Sequence, residues 1–306
     1  MQYYLLILLA VVLLALQFST NKLYQLKCGN TAAASLTFST LSGLTTSVIF
    51  FVLTFAMGEK FVITPYSLLM AAIIAVLCCT YTFIGFKIMS FGSMSVFMMF
   101  LMLGGMLLPY LFGVFYLDEG ISAGRILGVI LLVISMVFPV LSKDRSGGVI
   151  FVLLCAAVFT LNGCVSITSK LHQINTEFAS CGTTTFVFLT NFMNCLISGI
   201  GLLIMNLSGR KKDADSKFSD LSGTIRKNAK TIALIVVGNA AFGGVSYMLQ
   251  LIGAANVPAS VLYPLVTGGS VVLSAAAGLL FFREKPDKVS GIGLLLSFAA
   301  TFLFLF

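Results

Sequence analysis

Thr20-Asn-Lys-Leu-Tyr-Gln25 recurs as Thr168-Ser-Lys-Leu-His-Gln173. The echo continues downstream: Glu119 with Gly128 returns as Glu284 with Gly293, and Gly104 and Gly113 return as Gly269 and Gly278. Lys22 and Lys170 stand 148 positions apart, whereas Glu119 and Glu284 stand 165 apart. One polar insertion, Arg210–Lys230, accounts for the difference, because the first copy has only the short turn Gly58–Lys60 at that place. Two copies of one apolar five-helix unit are the pattern expected of an inverted-repeat transport protein.

The 306 residues are 59% hydrophobic and 9% charged, with mean hydropathy +1.08. A soluble domain carries about 25% charged residues. Apolar runs long enough to span a bilayer, which takes about 20 residues, can be drawn at Tyr3–Ser19, Thr31–Met57, Ser67–Ile88, Ser93–Tyr116, Ala123–Leu141, Gly148–Thr168, Thr183–Leu207, Thr231–Ile252, Pro258–Phe282 and Val289–Phe306. The expected fold is therefore an all-α integral membrane bundle: ten transmembrane helices in a 5+5 inverted repeat. Residues 1–145 form the first repeat and 146–306 the second, with a polar loop at 208–230 between helices 7 and 8. No extramembrane domain is left over. The expected location is a bacterial cell membrane.

The net charge of +8 sits at helix ends and in one loop, as membrane anchors and orientation signals do. Aromatic residues alternate with aliphatic ones rather than with Lys or Arg, so no nucleic-acid partner is expected. Counting the loops in order, the odd ones hold most of the lysines and arginines. That bias puts both termini outside the cell. Seven scattered cysteines without CxxC spacing form neither a disulfide framework nor a zinc site. No metal and no cofactor is expected.

Glu119 ends a short turn, Ser122 stands at an N-cap position, and Gly128 lies inside the following helix; Glu284, Asp287 and Gly293 repeat the arrangement. Acids and hydroxyls at a helix start satisfy orphan N–H groups and suit the positive end of the dipole. This pattern resembles the EamA-like repeat of the drug/metabolite transporter superfamily. The stretch Tyr263-Pro-Leu-Val-Thr-Gly-Gly-Ser270, leading to Phe281-Phe-Arg-Glu-Lys285, is similar to the last two helices of the small multidrug resistance branch. The Gly that usually precedes the Glu is Asp118 in one copy and Arg283 in the other. The resemblance implies ten helices, a central cavity between the halves, and both termini in the cytoplasm. That orientation opposes the one the charge bias gives.

Exporters of that branch carry a membrane-embedded Glu eight residues before a Lys. Eight residues before Lys22 and Lys170 stand Leu14 and Asn162. All ten acids fall outside the helix centres, and the one histidine, His172, is near a helix end. A proton relay needs a titratable group at depth, so proton exchange at a mid-membrane acid is not expected to drive transport.

Helix 2 aligns Ser35, Ser39, Ser42 and Thr46 on one face, helix 7 aligns Thr184, Asn191, Asn194 and Ser198, and helix 8 aligns Asn239, Gly243, Ser246, Tyr247 and Gln250. Amide side chains are costly against lipid and point into the bundle. Asn162, Asn191, Asn194, Asn239, Tyr247, Gln250 and Tyr263 are thus candidates for a substrate cavity or for interhelical hydrogen bonding. Met98 and Met102 lie on a methionine stripe of helix 4 that suits either packing or an adaptable apolar contact. Lys22 and Lys170, placed after helices 1 and 6, are expected to snorkel or to meet an anionic group at a cavity mouth. Pro264 with Gly268 and Gly269 in helix 9, and Gly104 and Gly105 in helix 4, mark the candidate hinges. Alanine at Gly268 and Gly269 is expected to slow transport and to spare folding.

A neutral interior favours a small neutral or zwitterionic solute. The alternative is an exporter of amphipathic cations that uses aromatic and methionine surfaces. The chain lacks HExxH, a GxGD acid pair and a P-loop, so neither an enzyme nor direct ATP use is expected. The expected partners are a small-molecule substrate and the lipid bilayer, with the chain a monomer or a homodimer.

Overall fold

The computed structural model describes residues 2–29, 31–90, 94–141, 148–208, 221–281 and 288–303. Among them the regular structure is helical throughout. The helices are α1 (Gln2–Cys28), α2 (Ala32–Ala56), α3 (Pro65–Ser90), α4 (Met94–Tyr116), α5 (Ala123–Leu141), α6 (Gly148–Ile174), α7 (Thr183–Ser208) and α8 (Ala229–Asn256). The chain then forms α9 (Ala259–Tyr263), a π turn (Pro264–Gly268), α10 (Gly269–Phe281) and α11 (Lys288–Leu303). A short helical stretch at 221–227 precedes α8.

Among the described residues, seven spans are long and apolar enough to cross a membrane, counting 259–278 through the π turn as one; the described parts of α4, α5 and α11 are shorter apolar helices. Leu5, Val149, Leu153, Leu203, Leu234, Leu280 and Leu295 are all exposed. Water would penalise so much apolar surface on a bundle, and acyl chains do not.

Local chemistry explains the boundaries. Thr31 Oγ1 accepts from the Ala34 N–H and caps α2, Thr64 caps α3 in front of Pro65, and Ser122 Oγ accepts from the Arg125 N–H to start α5. Asp118 takes φ +52 after α4. A positive φ favours Gly, and Asp is one of the few other residues that adopts it readily.

Two boundaries differ from those read in the sequence. α1 runs to Cys28 rather than Ser19, and α6 to Ile174 rather than Thr168. The repeated TNKLYQ and TSKLHQ motifs therefore lie inside the last turns of these helices. Neither motif holds a Gly or Pro to stop the ladder, and Lys, Leu and Gln sustain it. α1 stops only before Gly29, which takes φ +78 and returns its N–H to the Gln25 carbonyl.

The chain packs as two compact units. One contains residues 1–15, 80–175 and 249–306; the other contains 16–79 and 176–248. In the first, α4 lies along α6, α5 along α11, and α9 against α4. Ile7 and Val11 of α1 pack there with Ala254, Leu262, Tyr263 and Val266. In the second unit α2 lies along α7, and Tyr24, Ala34, Ile232 and Val236 form a core at one end.

Candidate functional site

In the unit built from 16–79 and 176–248, polar side chains tie the helices together. Asn239, buried on α8, donates through Nδ2 to the Gln17 carbonyl, to Thr20 Oγ1 and to Asn21 Oδ1, and its Oδ1 accepts from Ser42 Oγ at 2.7 Å. Asn194 Nδ2 donates to Ser39 Oγ at 3.1 Å, and Asn191 Nδ2 donates to the Val187 carbonyl of its own helix. The Ser39 and Ser42 face of α2 thus meets amide partners on α7 and α8, while Thr46 and Ser47 bond back to α2 carbonyls. Tyr247 is part-buried on the same helix as Asn239, and Lys22 is part-buried on α1. Glu59, in the α2–α3 turn, accepts from Thr184 Oγ1 at 2.6 Å, and Thr184 in turn accepts from Thr54. The sequence does not single out Glu59; only its proximity to the start of α7 reveals this hydroxyl chain.

In the other unit a single face of α6 does the equivalent work. Asn162 Nδ2 donates to the Leu101 carbonyl at 2.7 Å, Ser166 Oγ donates to the Gly105 carbonyl, and the Ser166 carbonyl accepts from the Tyr263 hydroxyl. Asn162, Ser166 and Lys170 recur at steps of four, one face of a helix. The spacing was visible in the sequence, and Ser166 was missed there. Gly104 sits against the Phe159 backbone and Gly105 against the Asn162 amide, which brings α4 and α6 unusually close. Met102 packs with Ile88, Leu101, Phe151, Cys155 and Val158; the Met98 side chain lies outside the described residues. Gln250 is part-buried near the end of α8.

The repeated charges converge on one corner of this unit. Lys170 is 5% exposed and does not snorkel. It donates to the Ala254 carbonyl at 2.6 Å and to the Val257 carbonyl at 2.9 Å, at the C-terminal end of α8. The expectation of an interior without buried charge is corrected here. Carbonyls left unpaired at a helix end, together with the negative end of its dipole, supply what water would otherwise give. Glu119 reaches across to the start of α9, where Oε1 accepts from the Ala259 N–H and Oε2 from the Ser260 N–H, both at 2.7 Å. It therefore serves a helix far away in sequence rather than the one that follows it. Gly113 makes this possible, because a Cβ there would sit 2.9 Å from the Glu119 carboxyl carbon. Arg125 donates to the Gly120 carbonyl and to Ser260 Oγ. Glu284 lies outside the described residues.

Pro264, which lacks a backbone N–H, opens the π turn that ends at Gly268. Interruptions of this kind concentrate at functional positions. Gly268 and Gly269 are also packing contacts. A Cβ on Gly268 would overlap Thr301 Oγ1 and lie 2.6 Å from its Cγ2, and one on Gly269 would lie 2.9 Å from Val11. Alanine at Gly268 thus disturbs packing against α11 as well as any bending. The expectation that folding is spared there is corrected.

No match was found among curated proteins. A solved crystal structure matches with TM-score 0.69 at 15% identity, covering 99% of this chain and 96% of its own, and so shows a shared fold. Residues 146–306, more than half the chain, match the EamA-like transporter family. A bundle of apolar helices with this match is a membrane transporter and not an enzyme: the chain belongs to the EamA-like transporter family.

Proposed function

We propose that the protein is a secondary transporter that moves a small neutral or zwitterionic metabolite by alternating access through a central cavity. The observation that carries this reading is the chemistry of the polar positions. Asn162 and Tyr263 in one unit, and Ser39, Ser42, Asn191, Asn194 and Asn239 in the other, are neutral polar groups, and every carboxylate among the described residues lies in a loop. A cationic solute would find no carboxylate at depth among the described residues, and the buried Lys170 ammonium is already engaged by the Ala254 and Val257 carbonyls, so a strongly charged solute would bear much of its desolvation penalty. Helix pairing supports an inverted repeat. α2 lies along α7, α4 meets α9, and α5 lies along α11, so three helices of the first copy touch their counterparts in the second.

A second reading, export of amphipathic cations, is favoured by the linked rings of Phe51, Phe55, Phe61, Phe188 and Phe192. Thermal-shift screening of the purified protein separates the two. A bound ligand at 100 times its Kd stabilises by about 2.7 kcal/mol. Neutral amino acids, polyols or nucleosides are expected to raise the midpoint. A rise with tetraphenylphosphonium alone would replace the first reading by the second.

A further inference from the structure

The α8–α9 corner is held from both sides by charges that never need each other as direct partners. Lys170 sits on the last carbonyls of α8, and Glu119 bridges the first two amides of α9. Each charge opposes the partial charge of the helix end it meets. Arg125 adds a third tie through Ser260 Oγ. Between those ends lie only Val257 and Pro258, and Pro258 has no N–H to offer. Six residues downstream of Pro258 the ladder is interrupted again by the π turn, whose last residue Gly268 seats tightly on Thr301, with the following Gly269 on Val11.

We infer that Glu119 and Lys170 are positioning residues of the transport cycle: they clamp the two helix ends of the α8–α9 corner, so that the helix bends at Pro264–Gly268 and not at its start. The inference rests on the alternating-access reading above, but the clamp itself can be tested without a substrate. An ordinary salt bridge would survive exchange of its two charges. A clamp made of helix ends would not, because exchange puts a cation on the amides and an anion on the carbonyls.

The test is amide hydrogen exchange of the full chain in nanodiscs. In the wild-type protein, 264–268 is expected to exchange at least tenfold faster than 259–263. In Glu119→Gln and in Lys170→Met, fast exchange is expected to spread to 259–263, by about tenfold, while α4 and α6 keep their protection. Glu119→Asp and Lys170→Arg, which keep the charges, are expected to lose less. The exchanged pair Glu119→Lys with Lys170→Glu is expected to remain as unprotected as either single variant. Restored protection in that pair, or unchanged exchange at 259–263 in Glu119→Gln, would overturn the inference. A failure to bind any neutral metabolite would instead count against the proposed substrate class and leave the exchange result standing.

Discussion

Gly104→Ala is expected to be the most damaging single-methyl change among the described glycines. Its Cβ would fall inside the Phe159 carbonyl group, 2.6 Å from the carbon and 2.7 Å from Cα. A side chain could rotate away from such a contact, but the backbone of a neighbouring helix cannot. The methyl must therefore push α4 off α6, and with it the bonds from Asn162 to the Leu101 carbonyl and from Ser166 to the Gly105 carbonyl. Overpacking of this kind costs about 3 kcal/mol or more when nothing flexible can yield. The measurement is the thermal midpoint in detergent, with Gly291→Ala as control. Gly291 has open space around its Cβ position and lies inside α11, so alanine there is expected to leave the midpoint unchanged or raise it slightly. Equal midpoints for the two variants would remove the close α4–α6 contact from the account.

Asn239→Leu is the second large effect. The amide has partners on two helices: Gln17, Thr20 and Asn21 on α1, and Ser42 on α2. Leucine fills a similar volume and strands the Asn21 and Ser42 groups in a buried site. Leaving buried polar groups unpaired costs about 1–3 kcal/mol. The stabilities of Asn239→Leu, Ser42→Ala and the double variant give the coupling between the two residues. It is expected near the middle of the range for hydrogen bonds within membranes, about 1 kcal/mol. Strict additivity would mean that Ser42 and Asn239 do not hold these helices together.

Much of this could be read from the residues in order. Apolar runs gave most of the helices, Ser122 gave a cap, Pro264 gave the break that became a π turn, and the Ser39 and Ser42 spacing gave the polar face of α2. These signals are local: each depends on a period of 3.6 residues or on one residue's backbone chemistry. The misses are the long-range ones. Lys170 looked like an interfacial lysine because nothing nearby in sequence accepts its charge; its acceptors are on α8, 84 and 87 residues later. Glu119 looked like a cap for α5 because Ser122 and the helix follow it, yet Ser122 caps α5 and Glu119 caps α9. Neither pairing has a period. The candidate cavity residues were legible as polar positions, but their partners were not. Asn162, Asn194, Asn239 and Tyr263 all bond to neighbouring helices, and only packing decides which helix that is.

Transport without a carboxylate at depth is the central claim. Among the described residues Glu59, Asp118, Glu119 and Glu177 all stand in loops, and Glu59 and Glu119 are already engaged with a hydroxyl and with helix amides. The direct measurement is uptake of a neutral amino acid, polyol or nucleoside that binds the protein, into proteoliposomes clamped at zero membrane potential, with the internal and external pH set independently. The account predicts saturable flux that follows the solute gradient and changes less than about twofold when a gradient of two pH units is imposed or reversed. Accumulation against the solute gradient whenever a pH gradient is present, reversing as that gradient reverses, would contradict it.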